Sequence, residues 1–249
     1  MKSSLVLPET ESSSSSTVRA VLFDFDGTLW DPEPDIFRAH AEIFLEFGGR
    51  LSAELWSSVV GTIGFDLWAQ LEQFTGRPVD RRALQDRVRR RERELLGRLR
   101  GRPGVHSVLR TIDALGVSRA IVSNSTRNWI ARYARQCGLW EGWSTVRCAD
   151  GDLSRAKPEP DLYVEALDVL GVPAEQAVAF EDTPSGLRAA KRAGIRCVAV
   201  PNPMTAGLDL GEADLRCDSF EQLDLPALLG PLPQGPARPD RTGPLPLTR

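Results

Sequence analysis

The chain is poor in the residues that cross-link a fold, bind soft metals or enter a bilayer. Its four cysteines, Cys137, Cys148, Cys197 and Cys217, are scattered, with no C-x-x-C pair. That argues against a disulfide or zinc framework and fits reduced thiols in a cytoplasmic protein. No apolar run approaches the roughly 18 residues of a spanning helix. The N-terminus offers Leu5-Val6-Leu7 and then a serine run, without the apolar core of a signal peptide. A net charge of −3 over 249 residues gives no general attraction to nucleic acid or to a membrane surface. No internal repeat is evident, and nothing in the sequence reads out an oligomeric state. What remains is ordinary for a soluble globular chain, 41% hydrophobic and 26% charged, and long enough for one or two domains.

The informative stretch is Val21–Asp31, VLFDFDGTLWD. Ala20, Val21, Leu22 and Phe23 form a short unbroken apolar run, the pattern of a strand buried on both faces in a parallel sheet. Asp24 and Asp26 fall where that strand ends, and open α/β sheets collect their ligands outside the carboxyl ends of the strands. Gly27 permits a sharp turn directly after them.

Around this stretch the chain divides by composition. Residues 1–17 are polar and serine-rich and are expected to be disordered, as is the Pro- and Gly-rich tail, 230–249. Residues 35–101 read as consecutive helices, at about 35–47, 52–60, 65–75 and 81–99. They interrupt an alternation of strand and helix and so form an inserted all-α domain. The interrupted part, 18–34 and 102–229, carries strands near 18–25, 118–123, 145–148, 176–180, 195–200 and 214–217. Helices at 105–115, 126–137, 159–170, 184–193 and 219–229 lie between and after them. That order predicts an α/β, Rossmann-like, mainly parallel sheet with helices on both faces.

An isolated Asp-x-Asp is a weak signal, because most acid pairs are solvated or cap a helix. Here three further segments end in polar residues of complementary type: Ser123-Asn124-Ser125, Lys157-Pro-Glu-Pro-Asp, and Glu181-Asp182-Thr183-Pro184-Ser185-Gly186. In a parallel sheet these ends share one edge. Several carboxylates around one point repel each other and call for a counter-charge, for which a hard oxygen-seeking cation, Mg²⁺ above all, is suited. Ser123, nearby backbone amides and Lys157 add donors for anionic oxygens, helped by helix N-termini. The set describes a site for a phosphoryl group between a carboxylate nucleophile and a metal.

The four segments in order, DFDGT, VSN, KPEPD and FEDTPSG, resemble the haloacid dehalogenase superfamily of phosphotransferases, in the branch with a helical cap inserted after the first motif. The resemblance covers roughly Arg19 to Leu229. It implies that Asp24 is the nucleophile and that Asp26 is the general acid-base, its main-chain carbonyl also meeting the metal. It further implies that Ser123 and Lys157 hold the transferred phosphoryl oxygens, and that Asp182, with Glu181 beside it, completes the Mg²⁺ shell. Thr28 and Asn124 are expected as phosphate neighbours. The implied activity is hydrolysis of a small phosphorylated metabolite, such as a sugar phosphate or phosphoglycolate. A mutase of the β-phosphoglucomutase type is the alternative, but the chain has Ile36 where those enzymes have a cap histidine, and Gly61-Thr-Ile-Gly64 lacks their second phosphate-gripping arginine. A binding protein that kept the fold without turnover is the other rival, and the intact Asp24/Asp26 pair argues against it.

The arginine-dense stretch 81–102 interleaves Asp86, Glu92 and Glu94 and carries an apolar stripe of Leu84, Val88, Leu95 and Leu99. It therefore reads as a solvated amphipathic helix rather than a nucleic-acid site. Trp56, Trp68, Trp129, Trp140 and Trp143 read as packing residues, and Trp30 as a candidate for the substrate entrance. Arg127 is open between substrate contact and surface charge. His40 and His106 receive no role.

Overall fold

The computed structural model describes residues 17–59 and 65–230; the predicted disordered ends, apart from Thr17 and Gly230, and the Gly61–Gly64 segment lie outside the described residues. Six parallel strands make one sheet in the order β3-β2-β1-β4-β5-β6. They are β1 (Ala20–Phe23), β2 (Ser118–Ser123), β3 (Thr145–Cys148), β4 (Ala177–Glu181), β5 (Arg196–Ala199) and β6 (Leu215–Arg216). The organising strand is central: Phe23 sits level with Ile121 of β2 and with Phe180 of β4. Every residue of β1 is fully buried, as its apolar run predicts.

The strand alternation divides large and small side chains between the two faces. Val21, Phe23, Ile121, Val178, Phe180 and Val198 point one way. Phe23 stacks on Phe180 with ring centroids 5.0 Å apart and meets Trp143 edge-on. Against this bulky face pack α5 (Val105–Ala114), α6 (Arg127–Gln136) and α9 (Leu225–Leu229). The opposite face is mostly alanine, with Ala20, Ala120, Ala177, Ala179 and Ala199 alongside Leu22, Val122 and Cys197, and α7 (Asp161–Leu170) and α8 (Pro184–Arg192) pack against it.

Between β1 and α5 the described residues form α1 (Glu33–Glu46), α2 (Ala53–Val59), α3 (Leu67–Thr75) and α4 (Arg81–Leu96). They enclose a core of their own, in which Ala39, Ile43, Phe44, Leu71, Leu84 and Val88 are buried together. Asp66 and Asp80 cap α3 and α4 by accepting from Ala69 and Ala83 N–H. Three of the seven arginines of α4 pair within this unit: Arg81 with Asp66 and Glu72, Arg87 with Glu46, and Arg91 with Glu42. The chain segments that enter and leave this unit meet at an isolated bridge between Trp30 and Gly101.

Two expectations change. The helix expected over 219–229 is a 3-10 turn, Phe220–Gln222, followed by the short α9. Asp224 starts α9 anew by capping Ala227 N–H, and Pro226 fits its first turn because it has no N–H to satisfy. Trp30 is fully buried rather than lining an entrance; its ring stacks on Tyr133 at 4.3 Å between centroids. Among the described residues no helix is long and apolar enough to cross a membrane.

Candidate active site

The site is assembled at the carboxyl ends of β1, β2 and β4, with Lys157 supplied by the segment after β3. Asp24 extends the β1–β4 pairing by one residue, its N–H donating to Phe180 C=O at 3.0 Å. The chain then turns at Gly27, which adopts a φ of 92° and donates to Trp30 C=O at 2.7 Å. Glycine is required there twice over, because a Cβ would also collide with the Asp182 carboxylate.

Lys157 is the hub. Its side chain is 4% exposed, and Nζ lies 2.6 Å from Asp24 Oδ1 and 2.6 Å from Glu181 Oε1. A third donor contact reaches Val122 C=O at 2.7 Å. Burial works against the ammonium charge, but Asp24 and Glu181 more than offset it, and the Lys157 pKa is raised. Tyr163 on α7 donates to the same Glu181 oxygen at 2.6 Å. Glu181 lies directly against Gly186, where any Cβ would displace its carboxylate.

Asp24, Glu181 and Asp182 converge so that one carboxylate oxygen from each lies within 4.8 Å of the others. Burial raises all three carboxyls, and the charge of Asp24 adds to the rise at Glu181, which is pushed up to about 7, and at Asp182. Lys157 pulls Asp24 and Glu181 back toward ionisation. One ammonium cannot compensate three carboxylates, and the deficit is visible atom by atom. Asp24 Oδ2 and Glu181 Oε2 are buried with no hydrogen-bond partner. Unsatisfied buried carboxylate oxygens are costly. An all-oxygen donor set without histidine or thiolate is what a hard divalent cation takes, so the residues present fit Mg²⁺.

Asp26 stands apart from the three. Its carboxylate accepts from Ser125 Oγ at 2.6 Å and from Trp129 Nε1 at 2.7 Å. Its pKa rises to about 6, first through burial and then through the charge of Asp24, with the two hydrogen bonds opposing. Ser123 ends β2 almost fully buried, with Oγ accepting from Ser125 N–H at 3.1 Å.

Two expected phosphate neighbours have other work. Thr28 is fully buried and donates to Asp182 Oδ1 at 3.2 Å. The Asn124 side chain clasps the Lys157 backbone, accepting from its N–H at 2.7 Å and donating to its C=O at 3.2 Å. Both side chains aim the groups that carry charge. Arg127 lies on the surface side: its guanidinium donates to Val146 C=O, and its N–H donates to Asp150.

Four supporting residues escape the motif reading. Ser125 and Trp129 orient Asp26. Asn202 follows the end of β5, is 2% exposed, and donates to Asp182 Oδ2 at 2.8 Å. Arg102, where the chain returns from the helical unit, donates to three carbonyls, those of Gly27, Val200 and Pro201, each at 2.7 Å. The position of Asn202, three residues past the end of an apolar strand, is the one signal that was available for it.

Residues 18–194 match the family described as haloacid dehalogenase-like hydrolase. The YhcW protein of Bacillus subtilis (strain 168) is 35% identical over 213 residues, covering 85% of this chain and 96% of that one. The "Phosphorylated carbohydrates phosphatase" of Thermotoga maritima is 28% identical over 207 residues, covering 79% and 91%. The crystal structure of CbbY from Rhodobacter sphaeroides in complex with phosphate superposes with a TM-score of 0.66 at 29% identity, covering 83% and 96%. A second CbbY structure, a mutant in complex with xylulose-(1,5)bisphosphate, gives 0.67 over the same shares. With the motifs in order, the parallel sheet with the helical unit inserted after its first strand, and a family match spanning most of the chain, the protein belongs to the haloacid dehalogenase-like hydrolases.

Proposed function

We propose that the chain is a Mg²⁺-dependent phosphatase that hydrolyses a small phosphorylated metabolite through a phosphoryl group carried on Asp24. The carrying observation is the arrangement around Lys157. A buried ammonium fixes one Asp24 oxygen, while the other is left unpartnered beside Glu181 and Asp182. A carboxylate held by one oxygen and free at the other is a positioned nucleophile.

In this reading Asp24 attacks phosphorus, the new Asp24–phosphorus bond forms, and the bond to the leaving oxygen breaks. Asp26, whose pKa of about 6 suits a proton carrier near neutrality, gives its proton to the leaving alkoxide. It then takes a proton from the water that attacks phosphorus and frees Asp24. Ser123 and Lys157 hold the transferred oxygens, and Thr28, Asn202 and Asn124 keep Asp182 and Lys157 aimed. Asp24, Asp182, Glu181 and the Asp26 carbonyl oxygen would hold the metal. When bound, it neutralises charge on the phosphoryl oxygens.

The test is release of inorganic phosphate from a generic aryl phosphate. Turnover is expected with Mg²⁺, not with excess chelator, and not from Asp24→Asn. Release from Asp24→Asn at the wild-type rate overturns the proposal, as does no release from any monoester across a panel of phosphorylated metabolites.

A further inference from the structure

We infer that Tyr163 is a positioning residue for the metal, its hydroxyl holding the Glu181 carboxylate in the place where a cation is bound. The inference deepens the phosphatase reading above and rests on its Mg²⁺ site.

The segment that carries Lys157 runs on into α7, and Tyr163 lies in the first turn of that helix. Its side chain is fully buried on the alanine-rich face of the sheet, in one packed cluster with Ala20, Ala120 and Ala179. A ring so placed still carries a hydroxyl, and a buried tyrosine hydroxyl needs an acceptor. The acceptor is Glu181 Oε1, at the end of β4 and 2.6 Å away. One stretch of chain thus brings two donors to one oxygen, because Lys157 Nζ reaches the same atom at 2.6 Å. The ammonium also lies 5.5 Å from the centroid of the tyrosine ring, within the range of a cation–π contact.

The rest of the Glu181 carboxylate is confined but not satisfied. A Cβ on Gly186 would overlap both of its oxygens, so the backbone of α8 closes one side. Oε2 is buried and meets no donor among the described residues. Fixed at Oε1 and unpartnered at Oε2, the carboxylate stands beside Asp24 and Asp182, with one oxygen from each of the three within 4.8 Å of the others. A cation is held tightly when its carboxylates are already aimed, and the groups hydrogen-bonded behind a ligand set both its direction and its affinity.

Lys157 cannot supply this hold alone. An ammonium has three protons, and Asp24, Glu181 and the Val122 carbonyl take them. In the phosphatase reading Lys157 also holds a transferred phosphoryl oxygen, and it turns to that oxygen only by releasing one of the three. Glu181 can be released without being left bare, because Tyr163 stays on the same oxygen.

The test measures Mg²⁺ binding to the substrate-free protein by isothermal titration calorimetry, for the wild type and Tyr163→Phe. Phenylalanine keeps the ring and leaves Lys157 on Oε1, so the fold is retained while the hydroxyl is lost. Tyr163→Phe should bind Mg²⁺ about tenfold more weakly. In phosphate release from an aryl phosphate, the half-saturating Mg²⁺ concentration should rise by a similar factor, while KM for the ester at saturating Mg²⁺ stays within about twofold. A hydroxyl that only completes the core would lower stability to urea and leave Mg²⁺ affinity unmoved. Unchanged Mg²⁺ affinity in Tyr163→Phe overturns the inference and leaves the phosphatase reading standing. So does a KM that rises as much as the Mg²⁺ requirement, which would mark a general distortion of the site. No Mg²⁺ binding by the wild type, with no release from an aryl phosphate, overturns both.

Discussion

Asp26→Asn is expected to make the metal-free protein more stable while stopping turnover. In the folded chain this carboxyl titrates at about 6 rather than 3.8, because burial and then Asp24 disfavour its ionised form. Holding it ionised near neutral pH costs about 3 kcal/mol on that basis. The side chain is partly exposed, and solvent screening reduces the cost to about 1–2 kcal/mol. Asparagine removes the charge but keeps both contacts. Its carbonyl oxygen accepts from Trp129 Nε1, and its amide donates to Ser125 Oγ, which rotates to accept. The folded wild type binds this proton more tightly than the unfolded chain does, so its stability falls as pH rises from about 4 to about 6. The variant lacks that decline. Urea denaturation in chelator should therefore show Asp26→Asn more stable by about 1–2 kcal/mol near pH 7.5, with the gap closing toward pH 4. Phosphate release should drop by about 10²–10⁴-fold. A variant no more stable than wild type near pH 7.5, or a gap independent of pH, would refute the reasoning.

Removing the Lys157 charge acts in the opposite direction. Lys157→Met leaves Asp24 and Glu181 unpaired in the interior and should cost about 3–5 kcal/mol near neutral pH by denaturant unfolding, less in acid, where those carboxyls protonate. Asn124→Ala deletes two hydrogen bonds to the Lys157 backbone; it should cost about 1–3 kcal/mol and lower kcat/KM without abolishing turnover. Gly186→Ala forces the Glu181 carboxylate from its place, costing about 1–3 kcal/mol, and should raise the Mg²⁺ concentration needed for half-maximal activity. Added Mg²⁺ should raise Tm by relieving the carboxylate cluster, and Asp182→Asn should remove most of that rise in a thermal melt.

The legible part of this molecule is the part in which local sequence and tertiary position carry the same message. β1 is four apolar residues followed by an acid, and burial on both faces follows from that run. Ser123 and Glu181 occupy strand ends with helix-opening residues behind them, so the sheet alone brings them to one edge. Lys157, from the loop before α7, reaches the same point. Asn124 and Thr28 stand where expected, yet their side chains serve Lys157 and Asp182, because each lies within reach of a stronger partner than solvent. Trp129 and Arg102 were opaque for another reason. An indole on an amphipathic helix and an arginine after an arginine-rich helix look like packing and surface charge. Only the fold puts Asp26 at one and three backbone carbonyls around the other. Trp30 failed similarly: proximity to the site in sequence says nothing of which way a ring turns, and it turned inward onto Tyr133.

The central claim, that Asp24 itself carries the phosphoryl group, is tested most directly by acid-quenching the enzyme during turnover of a ³²P-labelled monoester and mapping the label by peptide mass spectrometry. The account predicts label on the peptide containing Asp24, lost from Asp24→Asn and accumulating in Asp26→Asn if water activation fails before transfer does. Turnover with all label in free phosphate, and none on that peptide at any quench time, would contradict it.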